Sequence, residues 1–175
     1  VAYLIASEGV RPYQILAVTF TNKAAREMEH RVQSLLGEEA TQGMMLGTFH
    51  SICARILRRE AARVNVSHEF GIFDDNDQTS IVKQVLEKLD LNDKQYRPPT
   101  MLGAISKAKN ELISPEAYKG DSYFNEIAGR VYTEYQKLLR QNNAFDFDDL
   151  LTEVVYLFRN QPDVLKKYQT QYDHV

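Results

Sequence analysis

Two short apolar runs, each followed directly by a helical pattern, limit the possible folds of this chain more than any other feature. Ile15 to Phe20 is typical of a strand buried on both faces of a parallel sheet. Met44 to Thr48 is a weaker second strand candidate, and apolar residues at helical spacing follow both runs. Because strand and helix alternate with short connections, the first third of the chain predicts part of a layered α/β fold.

The rest of the chain has a helical pattern of apolar residues. Asp74, Thr100 and Asp146 are predicted to cap helices, and Pro115 and Pro162 to occupy first helical positions. The sequence therefore predicts a mainly α chain with a small α/β part. We expect an incomplete parallel sheet, followed by a helical subdomain after a connection between residues 65 and 73.

Composition argues against several classes of protein. The single cysteine, Cys53, cannot form an internal disulfide and is predicted to be a buried core thiol in a reducing cytosol. No apolar run reaches the roughly 18 residues of a transmembrane helix, and Val1 to Ala6 lacks the basic segment of a signal peptide. The four histidines are scattered without metal-ligand spacing. We expect a cytoplasmic protein with no metal site and no membrane partner.

Net charge does not decide whether the chain binds nucleic acid. The formal charge of −3 by itself argues against such a partner. Residues 11–63 carry a small surplus of basic side chains, whereas the remainder is acidic. A surplus of this size is more typical of a solvated surface than of a nucleic-acid footprint.

Polar residues stand at both junctions between a predicted strand and the helix after it. At the first, Thr21 and Asn22 could cap the helix or bind a phosphate at its positive end, while Phe20 and Lys23 would be available for a base and a phosphate. An ordinary capped helix with Phe20 in the core explains the same pattern.

The second junction, Gly47 to Ser51, repeats the arrangement with Thr48. In a parallel sheet both junctions would open on the same edge, where α/β folds bind ligands. Two phosphate-binding sites on one edge would suit a chain of phosphates better than one small ligand. Two ordinary threonine caps remain an equal alternative.

An acidic block, Asn142 to Leu151, invites interpretation as a metal site or as the magnesium-binding acids of an NTPase. A Walker B acid ends a hydrophobic strand, but the residues before Phe145 are polar and helical in pattern. We therefore favour a solvated helix start capped by aspartates. The chain contains no Gly-x-x-x-x-Gly-Lys-[Ser/Thr] phosphate loop and no nucleophilic triad, so no catalytic residue is predicted.

Five segments resemble the conserved blocks of one helicase family, in the same order. ILAVTFTNKAAREMEHR, from Ile15, resembles helicase motif Ia of the UvrD/Rep/PcrA group of superfamily 1, and GTFHSICARILRR, from Gly47, resembles motif Ib. FGIFDDNDQ from Phe70, AISKAKNELISP from Ala104 and NNAFDFDDLL from Asn142 resemble later blocks. The resemblance spans almost the whole chain, and its first two motifs are highly specific together.

The resemblance implies a fold and a place within a larger enzyme. Residues 1–68 would be part of the first RecA-like motor domain, and residues 69–175 a helical insertion subdomain whose last helices lead back toward the motor. In the family, the phosphate loop precedes the segment that Val1 to Gly9 resembles, and the Walker B strand follows Tyr172 to Val175. ATP and Mg²⁺ would therefore belong to the parent enzyme, while this fragment would be inactive and hold no cofactor.

The resemblance also implies single-stranded DNA as the partner. Phe20 matches the motif Ia aromatic that packs against a base, and Phe147 an aromatic that lines a neighbouring base pocket. Lys107, Lys109 and Asn110 are weaker candidates for DNA contact. The predicted DNA-binding set is Phe20, Thr21, Asn22, Lys23, Thr48, Phe49, His50, Lys107, Asn110 and Phe147.

For function, the resemblance implies a fragment of a 3′-to-5′ ATP-dependent DNA helicase of repair, replication or recombination. Its partners would be single-stranded DNA, junctions of single- and double-stranded DNA, and the remainder of the helicase chain. Two alternatives stay open: a non-catalytic protein-interaction module, and part of a nuclease-fused recombination helicase.

Overall fold

The computed structural model describes all of residues 1–175 and confirms a mainly helical chain with little sheet. Its α-helices are α1 Ala2–Ala6, α2 Asn22–Leu36, α3 Phe49–Arg59, α4 Asp75–Lys88, α5 Pro98–Asn110, α6 Tyr123–Gln141, α7 Phe147–Asn160 and α8 Pro162–Gln171. The strands are β1 Leu16–Thr19, β2 Met45–Thr48, β3 Gly71–Ile72 and β4 Ala144–Phe145. The chain divides into two compact units, residues 1–57 with 154–175 (unit 1) and residues 58–153 (unit 2).

The sheet of unit 1 is parallel, as the two apolar runs predict. β1 pairs with β2 in a register that sets Leu16 against Met45 and Thr19 against Thr48. On the opposite edge of β1, the N–H of Leu16 donates to the carbonyl of His174 at 2.9 Å, and Ile15 and His174 form a parallel bridge. β1 is therefore central, between β2 and the last residues of the chain.

Three of the predicted helix starts are confirmed, at Asp74, Asp146 and Pro162. Asp74 caps α4 by accepting hydrogen bonds from the amides of Asn76 and Asp77 at 2.8 and 3.0 Å, and the Asp77 carboxylate accepts from the Asp74 amide at 3.1 Å. Pro162 is the first residue of α8, where its missing N–H has no helical partner to lose.

Two other predicted helix starts are wrong. α5 begins at Pro98 rather than after Thr100, because Pro98 and Pro99 are compatible with a first helical turn. Pro115 opens only a single turn, closed by the Tyr118 amide on the Ser114 carbonyl at 2.9 Å. The next helix, α6, begins eight residues later, where Ser122 supplies the cap.

The core of unit 2 lies between α4, α5 and α6. β3 and β4 add a two-residue parallel pair, with Gly71 against Ala144, that the sequence analysis did not predict. A strand of two residues is too short to show an alternating pattern. The fully buried apolar side chains of this core include Val82, Val85, Leu86, Met101, Ile105, Val131, Tyr135 and Leu139.

The structure also bears on two expectations drawn from composition. Cys53 is only partly buried, and burial raises the pKa of its thiol to about 11, so the thiol is held in its unreactive protonated form. None of the helices combines the length and the apolar character that crossing a bilayer requires.

Candidate nucleic-acid interface

Two phenylalanines lie side by side on the surface of unit 1, where β1 and β2 end. Phe20 is 91% exposed and Phe49 is 47% exposed. Their ring centroids are 5.6 Å apart, with the planes tilted by 52°. The alternative that Phe20 is a core residue is therefore wrong. We call Phe20 and Phe49 the aromatic pair.

The first junction places a capped and uncompensated helix end beside Phe20. The Thr21 hydroxyl oxygen accepts from the Ala24 amide at 3.1 Å, so Thr21 is the N-cap of α2. The side chains of Asn22 and Lys23 are exposed, and the first turn of α2 contains no acidic residue. The positive end of the helix dipole and the Lys23 ammonium therefore face solvent without a carboxylate in that turn.

The second junction is held by a small network of hydrogen bonds. The Thr48 hydroxyl accepts from the Ser51 amide at 3.2 Å, and the Ser51 hydroxyl donates to the Thr48 carbonyl at 2.9 Å. The Arg55 guanidinium donates to the carbonyl of Leu46. These bonds fix the backbone on which Phe49 is carried.

Both threonines thus act as caps, and the cap alternative is correct for them. This does not account for the neighbouring side chains that face solvent. His50 is partly buried and follows Phe49 in the first turn of α3. The structure brings seven of the predicted DNA-binding residues to the ends of the two strands of unit 1: Phe20, Thr21, Asn22, Lys23, Thr48, Phe49 and His50.

In unit 2, Phe147 is the first residue of α7 and is 46% exposed. It borders a surface groove of about 470 Å³ between the first turn of α4, the exposed side of α5 and the start of α7. The groove is lined by Asp75, Gln78, Thr79, Pro99, Leu102, Gly103, Ser106, Phe147 and Asp148.

The other two predicted residues of unit 2 are exposed on α5. Lys107 lines a different groove from Phe147, and the two grooves share Gly103. The Asn110 amide donates to the Ser106 carbonyl at 2.8 Å. Lys107 is thus on the flank of α5 away from Phe147, and the structure does not bring these side chains together.

The prediction that Lys109 is a candidate for DNA contact is wrong. Its side chain is only 2% exposed. Its ammonium lies 2.6 Å from Asp146 Oδ2 and 2.8 Å from Asp149 Oδ1. A side chain buried in this way cannot reach a DNA phosphate.

Two aspartates of the acidic block, Asp146 and Asp149, are also not solvated, contrary to the prediction. Asp146 does cap α7, since the Asp149 amide donates to Asp146 Oδ1 at 2.8 Å, but both carboxylates are 2% exposed. The Tyr135 hydroxyl donates to Asp146 at 2.9 Å, and the Gln136 amide donates to Asp149 at 3.0 Å. The Lys109 ammonium occupies the place between the two carboxylates that a metal ion would take.

Burial governs the protonation chemistry of this cluster. It raises the pKa of Asp149 above the ordinary value, and the Lys109 ammonium opposes that increase. Burial also raises the pKa of Tyr135, and the negative charge of Asp146 raises it further. Tyr135 is therefore a fixed hydrogen-bond donor.

Comparisons with known proteins agree with the motifs quoted above. The family model described as "UvrD/REP helicase N-terminal domain" matches residues 1–175. The chain is 44% identical to the ATP-dependent DNA helicase PcrA of Bacillus subtilis (strain 168) over 177 aligned residues, which cover 100% of this chain and 24% of that protein. Identity and coverage are the same for the proteins of that name from Staphylococcus aureus (strain Mu50) and Staphylococcus epidermidis (strain RP62A).

The chain therefore spans about a quarter of the length of these curated relatives. Its motif Ia and motif Ib segments form the two strand ends that carry the aromatic pair. The full-length match and the 44% identity lead to one conclusion. This chain belongs to the UvrD/REP helicase family.

Proposed function

We propose that this chain supplies single-stranded DNA contacts to an ATP-dependent DNA helicase that moves 3′ to 5′. The observation that carries the proposal is the aromatic pair, two large apolar rings held at the ends of parallel strands and open to solvent. Exposed aromatic rings stack on bases of any sequence, which is what a translocating enzyme requires.

The surroundings of the aromatic pair support binding of a phosphate backbone. The start of α2 offers a positive dipole end, and Lys23 adds a full positive charge one residue into the helix. The bases would stack on the rings while the phosphates lie toward α2. Unit 2 would make a second aromatic contact through Phe147 at its groove.

The nucleotide chemistry belongs to other parts of the proposed helicase. Relatives of this chain carry the name ATP-dependent DNA helicase, and this chain contains no phosphate loop. ATP and Mg²⁺ would bind elsewhere in the whole protein, and catalysis would need the remainder of the helicase chain. We place the activity in the cytoplasm, on single strands and single/double-strand junctions during DNA repair, replication or recombination.

The 175-residue chain is accordingly expected not to hydrolyse ATP. Without the backbone amides and the lysine of a phosphate loop, the chain has no binding site for the triphosphate of ATP. Phosphate release should be measured with and without an oligothymidylate. Turnover of ATP that rises when the oligonucleotide is added would contradict this prediction.

The DNA contact is tested by Phe20→Ala. We expect the affinity for a fluorescent oligothymidylate to fall by about tenfold, because base–aromatic stacking contributes about 1–3 kcal/mol per base. The free energy of unfolding should change by less than about 0.5 kcal/mol, since the ring is on the surface.

Leu35→Ala is the matched control, because Leu35 is an exposed apolar residue at the other end of α2. It should leave the affinity for the oligonucleotide unchanged. If Phe20→Ala binds as tightly as the parent chain, or if both variants lose affinity equally, the aromatic pair is not a DNA-stacking surface.

A further inference from the structure

A buried ionic cluster lies directly behind Phe147. It consists of Lys109, Asp146 and Asp149, each 2% exposed, together with the fully buried ring of Tyr135. Every charged member has a partner: Lys109 bridges the two carboxylates, and Tyr135 donates to Asp146. Nothing in the proposed DNA contacts uses these groups.

Stability alone is a poor reason for such a cluster. Taking three charges out of water costs several kcal/mol per ion, and well-packed apolar residues of the same volume often stabilise a fold as well or better. The cluster also places two carboxylates against one ammonium. Its location offers a better explanation than its energy.

The cluster fixes the turn that carries Phe147. Asp146 immediately precedes the ring, and Asp149 follows it in the same helical turn. Each aspartate side chain accepts from the backbone amide of the other, at 2.8 and 3.3 Å. Phe147 thus lies in a turn that is held by two reciprocal hydrogen bonds, and Lys109 binds both carboxylates that accept those bonds.

Lys109 also joins this turn to the opposite wall of the groove. It lies on α5, and α5 contributes Leu102, Gly103 and Ser106 to the groove that Phe147 borders. The bonds from Lys109 therefore fix the start of α7 against the helix that forms the other wall.

We propose that Lys109 is a positioning residue for nucleic-acid binding, which holds Phe147 at the edge of the α5 groove through Asp146 and Asp149. The proposal rests on the proposed function, in which Phe147 contacts a base. Lys109 acts only through other residues, because its own charge is buried.

The test uses Lys109→Met/Asp149→Asn in the 175-residue chain. This double variant removes one positive and one negative charge, so the net charge of the cluster is unchanged, and only Asp146 is left as a buried carboxylate without its ammonium partner. Asp146 keeps its bonds from Tyr135 and from the residue 149 amide. We expect the variant to fold, yet to bind oligothymidylate about tenfold more weakly because the aromatic ring is no longer fixed.

The salt dependence of binding separates positioning from charge. Because Lys109 touches no phosphate, the slope of log affinity against log salt should be the same in the double variant and in the parent chain. Lys107→Met is the matched control, since Lys107 is exposed on the same helix. A reduced slope in the double variant would overturn the proposal, because it would mean that Lys109 acts as a charge on DNA.

A spectroscopic measurement reports on the ring directly. The chain contains no tryptophan, so Phe147→Trp introduces a single indole that retains an aromatic face and can be excited selectively, apart from the ten tyrosines. Without DNA, its anisotropy should fall when Lys109→Met/Asp149→Asn is added. With oligothymidylate, quenching of its emission should be strong in the single variant and weak in the triple variant.

Each outcome separates the proposal from the function on which it rests. Equal anisotropy and equal DNA affinity with and without the double substitution would make Lys109 merely structural. Emission unaffected by bound DNA in Phe147→Trp alone would refute the base contact itself. Should the double variant fail to fold, Asp149→Asn alone decides the matter. It removes one of the two carboxylates through which Lys109 acts and leaves the Lys109–Asp146 ion pair in place, and unchanged anisotropy of the fluorophore there would overturn the proposal.

Discussion

Replacing Lys109 alone by methionine is expected to lower the free energy of unfolding by about 3–5 kcal/mol. The ammonium pairs directly with the Asp146 and Asp149 carboxylates, at 2.6 and 2.8 Å. Its removal leaves two buried negative charges together, which is the costly way to break such a cluster. Urea denaturation followed by circular dichroism measures the loss. Lys107→Met, on the exposed side of the same helix, should change stability by less than about 0.5 kcal/mol.

The loss in Lys109→Met should shrink as the pH falls. Burial already raises the pKa of Asp149, and without the ammonium that opposes it the pKa rises further. The folded variant then binds a proton more tightly than the unfolded chain, so folding is favoured as the pH drops through the folded-state pKa. The difference between variant and parent should be smaller near pH 5 than near pH 7. A difference that grows on acidification would show that the carboxylates are not the source of the loss.

Gly47→Ala is expected to lower the free energy of unfolding by about 1–3 kcal/mol, through overpacking at the end of β2. A Cβ on Gly47 would overlap the Ser51 hydroxyl and lie 2.8 Å from a guanidinium nitrogen of Arg55. Both side chains are tied to backbone carbonyls, so neither can move without losing a hydrogen bond. The same displacement would shift Phe49, and DNA affinity should therefore fall as well.

Two further variants test this mechanism. Gly47→Ala/Ser51→Ala should recover part of the stability, because the closest clash is removed. Gly103→Ala is the opposite control, since a Cβ there has no heavy atom within 4 Å. An alanine inside α5 should raise stability by roughly 0.5–1 kcal/mol. Equal losses at Gly47 and Gly103 would mean that crowding is not the cause.

Features set by neighbouring residues were predictable from the sequence. The parallel pairing of β1 and β2 follows from two apolar runs separated by a helix, and Asp74 and Pro162 mark helix starts through their own backbone chemistry. For Phe20 the local pattern left two alternatives open, surface or core, because a strand end is compatible with either. Only the packing of distant segments decides between them.

For Lys109, the charge of the side chain and its position in the helical pattern predict opposite surroundings. Lys109 follows Met101 and Ile105 at intervals of four, so the spacing places it on the buried face of α5. That signal was present in the sequence. Its partners were not, since the pairing with Asp146 spans 37 residues and depends on how α5 and α7 pack. The turn at Pro115 shows the same limit, because a favourable first position does not ensure that a helix continues.

The hydrogen bond between Leu16 and His174 has a consequence for the order in which the chain folds. Unit 2 is one continuous stretch, so all of its contacts can form as soon as residue 153 has been synthesised. Unit 1 needs residues from both ends of the chain, and closing so long a loop is slow. During synthesis, the edge of β1 opposite β2 would therefore lack the pairing that His174 provides until residue 174 emerges. In that interval a chaperone or a neighbouring chain could capture it.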